Sequence, residues 1–324
     1  VKVAILGAGA IGAYVGAALA RGGADVSLIA RGAHLAALRE HGVRVLSPRG
    51  DFQVHVPATA DPAEVGPVDV VFLGLKAYSY ADSGPLLAPL LHETTGVVAA
   101  QNGVPWWYFH RHGGPYDGHR IEAVDPGGAT SAAIPPERAI GCVVYCSAEL
   151  EAPGVIRHGE GTRFSLGEPD RSVSERCVRL SEAFVSGGLK APVEPDLRDE
   201  IWVKLLGNAI FNPLSVLTRA TLSAMCRHPG TRALAYAGMQ ECLDIANALG
   251  SRPQIDIERR IGGAERVGEH RTSTLQDLEA GKRLELDALI VAVVELAELT
   301  GTPAPTIRTL AAESTLLAAS LGLS

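Results

Sequence analysis

The sequence predicts an α/β N-terminal domain built on a parallel sheet, residues 1–195, followed by an all-α C-terminal domain, residues 196–324. Three observations carry that prediction. Short β-rich runs alternate with helical patterns through the first half, the signature of βαβ units. Lys190-Ala191-Pro192-Val193-Glu194-Pro195-Asp196 places two prolines within four residues, a linker signal. From Leu197 onward almost every window carries helical periodicity.

In chain order, strands are expected at residues 2–6, 26–30, 43–46 and 52–56. Residues 68–75 and 97–100 are nearly continuous apolar runs of the buried-strand type. Residues 138–149, 155–157 and 163–166 have the spacing of consecutive antiparallel strands. Helices are expected at 13–21, 34–40 and 172–186, then at 201–210, 221–249, 255–268, 286–299 and 306–319. Pro213 deletes a helical hydrogen bond and is expected to kink or end the first of the C-terminal helices. Residues 106–136 are expected to form a long loop with a short helix at its start. It holds His110, His112 and His119, but His110-Arg111-His112 has no partnering Cys or carboxylate at ligand spacing, so the loop is read as solvated and no metal is expected. Cys142 and Cys146 are read as small core residues on one face of a strand.

Composition narrows the partners. The formal charge is −7, with 47% hydrophobic and 20% charged residues. That excludes a disordered chain and argues against nucleic acid, whose binders are basic. No continuous apolar run reaches the ~18 residues of a membrane span. The opening residues are too short for a signal-peptide apolar region, and five cysteines do not make a disulfide framework. A cytoplasmic protein is expected, with a small-molecule ligand and no membrane partner. The long apolar C-terminal helices point to a homodimer.

Gly7-Ala8-Gly9-Ala10-Ile11-Gly12 is a G-x-G-x-x-G sequence that follows a predicted strand and opens a predicted helix. Gly7 permits the tight turn, Gly9 lets a diphosphate approach the backbone, and Gly12 packs helix on strand. The N-terminal domain is therefore read as a Rossmann-type dinucleotide-binding domain. The second strand ends in Leu28-Ile29-Ala30-Arg31-Gly32, with no carboxylate for a ribose 2′-hydroxyl and with an Arg beside its end. Arg can fork onto a 2′-phosphate, which a carboxylate would repel. The expected cofactor is NADPH/NADP+.

Lys76, Asn102 and Gly103 follow predicted strands, at the carboxyl ends where open α/β sheets bind ligands. In the helical half, Lys204, Asn208 and Asn212 recur at i, i+4 and i+8 among apolar neighbours. They share one helix face, drifting ~40° per step. Spacing alone allows either a solvent-facing stripe or a stripe facing an oxygen-rich ligand. Ser273 and Asp277 share a second helix face, and Glu285 follows a break expected at Gly281.

Together these segments resemble the ketopantoate reductase family, the 2-dehydropantoate 2-reductases. The resemblance runs from the glycine turn through Leu75-Lys76-Ala77 and Gln101-Asn102-Gly103 to Trp202-Val203-Lys204, Asn208, Asn212-Pro213-Leu214, Ser273 to Asp277 and Glu285-Leu286-Asp287. It implies reduction of the 2-keto group of 2-dehydropantoate by NADPH, giving pantoate for pantothenate biosynthesis. By that resemblance Lys204 is the general acid, with Asn208 and Asn212 binding substrate and Ser273 binding its carboxylate. Glu285 lies near the substrate hydroxyl and nicotinamide ribose, so it is carried as catalytic and cofactor-contacting. Arg31, Lys76 and Asn102 contact the cofactor, Asn102 also the substrate, and Ala148 adds a backbone contact. The active site is expected in the cleft between the halves.

The chain departs from the family pattern at Leu222, Leu284, Ile290-Val291 and the Trp106-Trp107 pair. Those departures keep open a reductase of the same fold for another 2-oxo acid. A non-catalytic NADP-binding protein is a third reading, opposed by the retention of Lys204 and Glu285.

Overall fold

The computed structural model describes residues 1–324 as two compact units. The first comprises Val1–Gln101, Phe109–Gly118 and Gly128–Leu197; the second comprises Asn102–Tyr108, His119–Gly127 and Arg198–Ser324. A division at 195/196 would give the first unit all of 102–127. In the structure two short pieces of that stretch, including Asn102, cluster with the helical unit.

The first unit contains strands β1 (Lys2–Leu6), β2 (Asp25–Ile29), β3 (Val43–Leu46), β4 (Phe52–Val54), β5 (Ala58–Thr59), β6 (Val70–Leu73), β7 (Gly96–Ala99), β8 (Ala139–Tyr145), β9 (Ala148–Ala152), β10 (Val155–His158) and β11 (Arg163–Gly167). Seven form one sheet in the order β11-β8-β7-β6-β1-β2-β5. All its pairs are parallel except β8 with β11. This is the doubly wound order, with an antiparallel strand added at one edge. Leu6 stands opposite both Ile29 and Leu73. The chain therefore leaves β1, β2 and β6 at one level, and Gly7, Ala30 and Gly74 emerge side by side. Val3–Leu6 and Val70–Leu73 are fully buried, which is why both read as apolar runs rather than alternating ones.

Helices α1 (Ala10–Arg21) and α2 (Gly32–His41) follow β1 and β2; α3 (Gly84–Leu87), α4 (Ala129–Ala133) and α5 (Glu175–Ser186) complete the unit. Four strands lie in a second sheet, β4-β3-β10-β9. The expected strand 138–149 is thus two strands, broken at Cys146-Ser147 so that β8 and β9 serve different sheets. Cys142 is buried, but Cys146, beyond the end of β8, is only half-buried. The proline-rich 190–196 segment is not a free linker. Lys190 and Val193 form bridges alongside Arg163 and Leu166 of β11, supported by four backbone hydrogen bonds from Lys190 N–H → Thr162 O to Glu194 N–H → Leu166 O.

The stretch 106–136 is not a solvated loop at its start. Trp106, Trp107, Tyr108 and Phe109 are all buried, as is His112, and the short helix α4 lies near the stretch's end rather than its beginning. Within the second unit, Tyr108 is pinned from both sides. Its hydroxyl accepts from Trp202 Nε1 at 2.8 Å, and its carbonyl accepts from Arg198 Nε at 2.8 Å. Burial raises the Tyr108 phenol pKa above its ordinary value.

The second unit is built from α6 (Leu197–Thr218), α7 (Leu222–Arg227), α8 (Pro229–Ala248), α9 (Ile257–Val267), α10 (Ser273–Glu279), α11 (Ala292–Thr300) and α12 (Pro305–Ser320), with a π-helical turn at Asp287–Val291 leading into α11. The expected helix 221–249 is two, divided at His228, whose side chain accepts from Thr231 N–H and caps α8. Pro213 does not end α6, which runs on to Thr218. Phe211, Leu214, Ser215 and Val216 around it are buried, and that packing outweighs the ~3 kcal/mol that a helix-interior Pro costs. By length and composition α6 could cross a membrane, but 72% of its most apolar window is buried in the chain, as in a core helix.

Candidate active site

The glycine turn is built as its spacing requires. Gly7 adopts φ +89°, a conformation few L-residues tolerate. A Cβ on Gly12 would stand 2.3 Å from the Gly7 carbonyl oxygen, and one on Gly74 would stand 2.2 Å from the same atom. Two glycines thus clasp that carbonyl. Gly9, by contrast, has nothing within 4 Å of its Cβ position. It is the N-cap of α1, and no side chain caps that end. The first N–H groups of α1 therefore face open space, with the positive end of the helix dipole behind them. A diphosphate fits such a cradle.

Gly7, Ala8, Gly9, Ile29, Ala30 and Arg31 line one groove of about 240 Å³, with His34 and Leu75 among the other walls. Arg31, exposed, is the N-cap of α2, and the strand end beside it carries no carboxylate. His34 was not evident from the sequence. Gly154 N–H donates to its Nδ1 at 3.0 Å, so the ring proton sits on Nε2. That nitrogen donates to the Ala8 carbonyl at 2.7 Å. One imidazole thus ties the glycine turn to the helix carrying Arg31 and to the β9–β10 hairpin. The sequence signal was present only as a His three residues after Arg31. The contact depends on a hairpin 120 residues away. Ala148 does not line this groove; from the same strand, Leu150 does. Ala148 and Leu150 are two residues apart on β9 and so share one face of the strand. Lys76 is half-buried as the N-cap of a short 3₁₀ turn, also outside the groove lining.

In the second unit, α6 orients the Lys-Asn-Asn stripe. Trp202, Leu205, Leu206, Ala209 and Ile210 are buried and fix the helix's rotation, leaving Lys204 and Asn208 half-buried and Asn212 only 4% exposed. Lys204 Nζ donates to Asn102 Oδ1 at 2.6 Å. An ammonium has donors only, so the facing amide atom is necessarily the oxygen. Neither the Asn208 nor the Asn212 side-chain amide has a hydrogen-bond partner within the chain. Both amides keep some solvent exposure, so an oxygen-rich ligand can reach them. A second cation flanks the stripe: Arg260 of α9 lies across Gly207, its Nη2 2.7 Å from where a Cβ there would stand.

Ser273 is exposed as the first residue of α10. The residue before it is tied to α6. Ser215 Oγ donates to the Asn212 carbonyl at 2.7 Å and so accepts from the Thr272 hydroxyl at 2.6 Å. The start of α10 is thereby fixed to the end of the stripe. Glu285 is half-buried two residues before the π-helical turn. The structure therefore joins Lys204 to Asn102 directly, and Ser273 to the Asn212 turn through Thr272 and Ser215.

The comparisons with known proteins follow this layout. The model described as Ketopantoate reductase PanE/ApbA matches residues 3–106, and the one described as Ketopantoate reductase PanE/ApbA C terminal matches residues 196–317. The chain is 53% identical over 307 residues to a 2-dehydropantoate 2-reductase from Mesorhizobium japonicum, covering 94% of each. A solved structure from Ralstonia solanacearum MolK2 matches with a TM-score of 0.92 at 40% identity, over 100% of this chain and 99% of that one. The 2-dehydropantoate 2-reductase from Geobacter metallireducens GS-15 matches with a TM-score of 0.86 at 28% identity, over 98% and 100%. Two family models that divide the chain between a dinucleotide sheet and a helical unit, and a relative identical at more than half its positions, place the chain in the ketopantoate reductase family.

Proposed function

We propose that this chain reduces the 2-oxo group of 2-dehydropantoate to the hydroxyl of pantoate, using NADPH, as a step in pantothenate synthesis. The observation that carries the reading is the Lys204–Asn102 pair continued along α6 by two amides without protein partners. When bound, the reduced nicotinamide supplies the hydride to the substrate's carbonyl carbon. The chain's residues manage charge and protons. As the carbonyl oxygen becomes an alkoxide, Lys204 Nζ stabilises it and gives it a proton. Asn102 holds the ammonium in place. Asn208, Asn212 and Ser273 are neutral donors that hold the substrate without competing for that proton. Glu285 accepts from the substrate hydroxyl. Glu285→Ala is expected to raise KM and lower kcat together, and steady-state kinetics check it; a change in KM alone would reduce its role to placing the substrate.

Arg31 at the groove and the absence of a carboxylate beside it support NADPH over NADH. NADPH is expected to bind at least about tenfold more tightly, ~1.4 kcal/mol. Arg31→Ala is expected to remove most of that preference, measured by titrating both cofactors against intrinsic fluorescence. Equal affinities in the unmodified protein would refute the assignment.

The reaction is tested by following NADPH absorbance with 2-dehydropantoate and a panel of other 2-oxo acids. The highest kcat/KM is expected for 2-dehydropantoate. A bulkier acid that outperforms it would replace the substrate while leaving the chemistry standing. Leu284 and Ile290, two of the departures from the family pattern, are buried at 3% and 0% exposure. Their side chains are apolar and packed, and the panel of 2-oxo acids tests whether these departures change the substrate.

A further inference from the structure

Asn102 does not reach Lys204 by chance of rotamer. The next residue, Gly103, has φ +86°, and a Cβ on it would stand 2.1 Å from the Ala288 carbonyl oxygen and 3.0 Å from the Ala288 Cβ. Val104 N–H donates to that same Ala288 oxygen at 2.8 Å. Ala288 lies in the π-helical turn Asp287–Val291, where Ala292 N–H reaches back five residues to Asp287 O. A π turn widens the helix by one residue and splays its carbonyls, and such turns are rare and frequently found at functional sites. All of these atoms belong to the second unit.

We propose that Gly103, seated on the Ala288 carbonyl of the π turn, is a positioning residue that sets Lys204 for proton transfer. The backbone of residues 102–104 lies against the helix that begins just after Glu285. With no Cβ at 103, the chain comes close enough for Val104 to bond to Ala288, and that bond fixes where the Asn102 amide points. Asn102 Oδ1 in turn holds Lys204 Nζ at 2.6 Å. A single backbone contact thus aligns the ammonium of α6 with the helix start that follows Glu285. A methyl group at 103 must push against backbone, which cannot swing aside as a flexible side chain can. The displacement passes to Asn102 and weakens its hydrogen bond to Lys204. This inference rests on the role proposed for Lys204.

The test is a double-mutant cycle on turnover. Gly103→Ala is expected to lower kcat by about 10- to 100-fold, the size of effect expected when a reacting group is misplaced by about an ångström. Because Asn102 is also read as a cofactor contact, NADPH affinity should fall, but by less than kcat does. In an Asn102→Ala background, the same substitution should cost almost nothing further, because both changes act through one anchor. Equal losses in the two backgrounds, or unchanged kcat in a folded Gly103→Ala protein, would overturn the proposal. Should Gly103→Ala fail to fold by near-UV circular dichroism, Ala288→Val presses on the same glycine from the other side. It is then expected to lower kcat only when Asn102 is present, and a loss that does not depend on Asn102 would refute it. Lys204→Ala is measured alongside. If it keeps its turnover, the acid assignment itself falls. If it loses turnover while Gly103→Ala does not, only the positioning role is discarded.

Discussion

Lys204→Ala is expected to lower kcat by roughly 10²–10⁴, the range general acid–base help commonly contributes, and to leave NADPH binding nearly unchanged. The argument is one of charge development. A carbonyl that accepts hydride acquires a full negative charge on oxygen. The Lys204 ammonium can both neutralise that charge and end it by protonation. Its donors sit on the same α6 face as the unpartnered Asn208 and Asn212 amides, so the proposed acid and the groups proposed to hold the substrate turn together. The groove-lining contacts, including Arg31 and the glycine turn, belong to the other unit, which is why cofactor affinity is expected to survive. Lys204→Arg should restore little, because a guanidinium remains protonated and does not release its proton readily. Single-turnover kinetics with bound NADPH measure the chemical step directly. Near-normal turnover in Lys204→Ala would move the acid elsewhere.

Gly12→Ala and Gly9→Ala separate folding from cofactor binding, and both should weaken NADPH by about 100-fold or more, ~2.8 kcal/mol. Their causes differ. The Gly12 methyl would meet the Gly7 carbonyl oxygen at 2.3 Å and the Ile5 Cγ2 at 3.0 Å. Gly74 holds that same carbonyl from the other side, so the turn has no room to retreat. Overpacking of this kind costs ~1–3 kcal/mol of stability, and the first turn of α1 is pushed off the line its N–H groups need. The Gly9 methyl meets no protein atom within 4 Å. Gly9→Ala should therefore keep its melting temperature while occupying the space in front of the helix N-terminus. Thermal denaturation paired with NADPH titration distinguishes the two. Gly12→Ala should lose both stability and affinity, and Gly9→Ala affinity alone. Tight NADPH binding by Gly9→Ala would remove the glycine turn from the cofactor site.

The parts legible in the sequence were those set by neighbouring residues. The strand-turn-helix of residues 2–21, the carboxylate-free end of β2 and the Lys204–Asn208–Asn212 face each depend on spacing within a few turns of chain, and the structure has all three. What escaped depends on partners far away in sequence. β5 is only two residues long and exists because β2 pairs with it. That β3 belongs to a second sheet is set by its pairing with β10, more than 100 residues away. Nothing near 106–109 announced that four successive aromatic residues would be buried. His34, Gly103 and Arg260 acquire meaning from contacts with Gly154, Ala288 and Gly207, and no local pattern encodes those. Pro213 shows the opposite error, a strong local rule overridden by the packing around it.

The half-strand at 190–194 bears on how the protein behaves when crowded. A sheet edge with a long row of open N–H and C=O groups is a template on which another chain can add. Here β11 is covered by Lys190–Glu194, whose backbone points alternately inward to β11 and outward. Outward, the run is short and includes Pro192, so its pairing groups are confined to Ala191 and Val193. The Ala191 carbonyl already accepts from the Ser181 hydroxyl of α5, and Pro195 has no N–H to offer. At the opposite edge β5 ends after two residues. Neither margin of the seven-stranded sheet offers a run long enough to recruit a foreign strand, so growth of the sheet into aggregates is blocked at both ends by the way the chain closes its own margins.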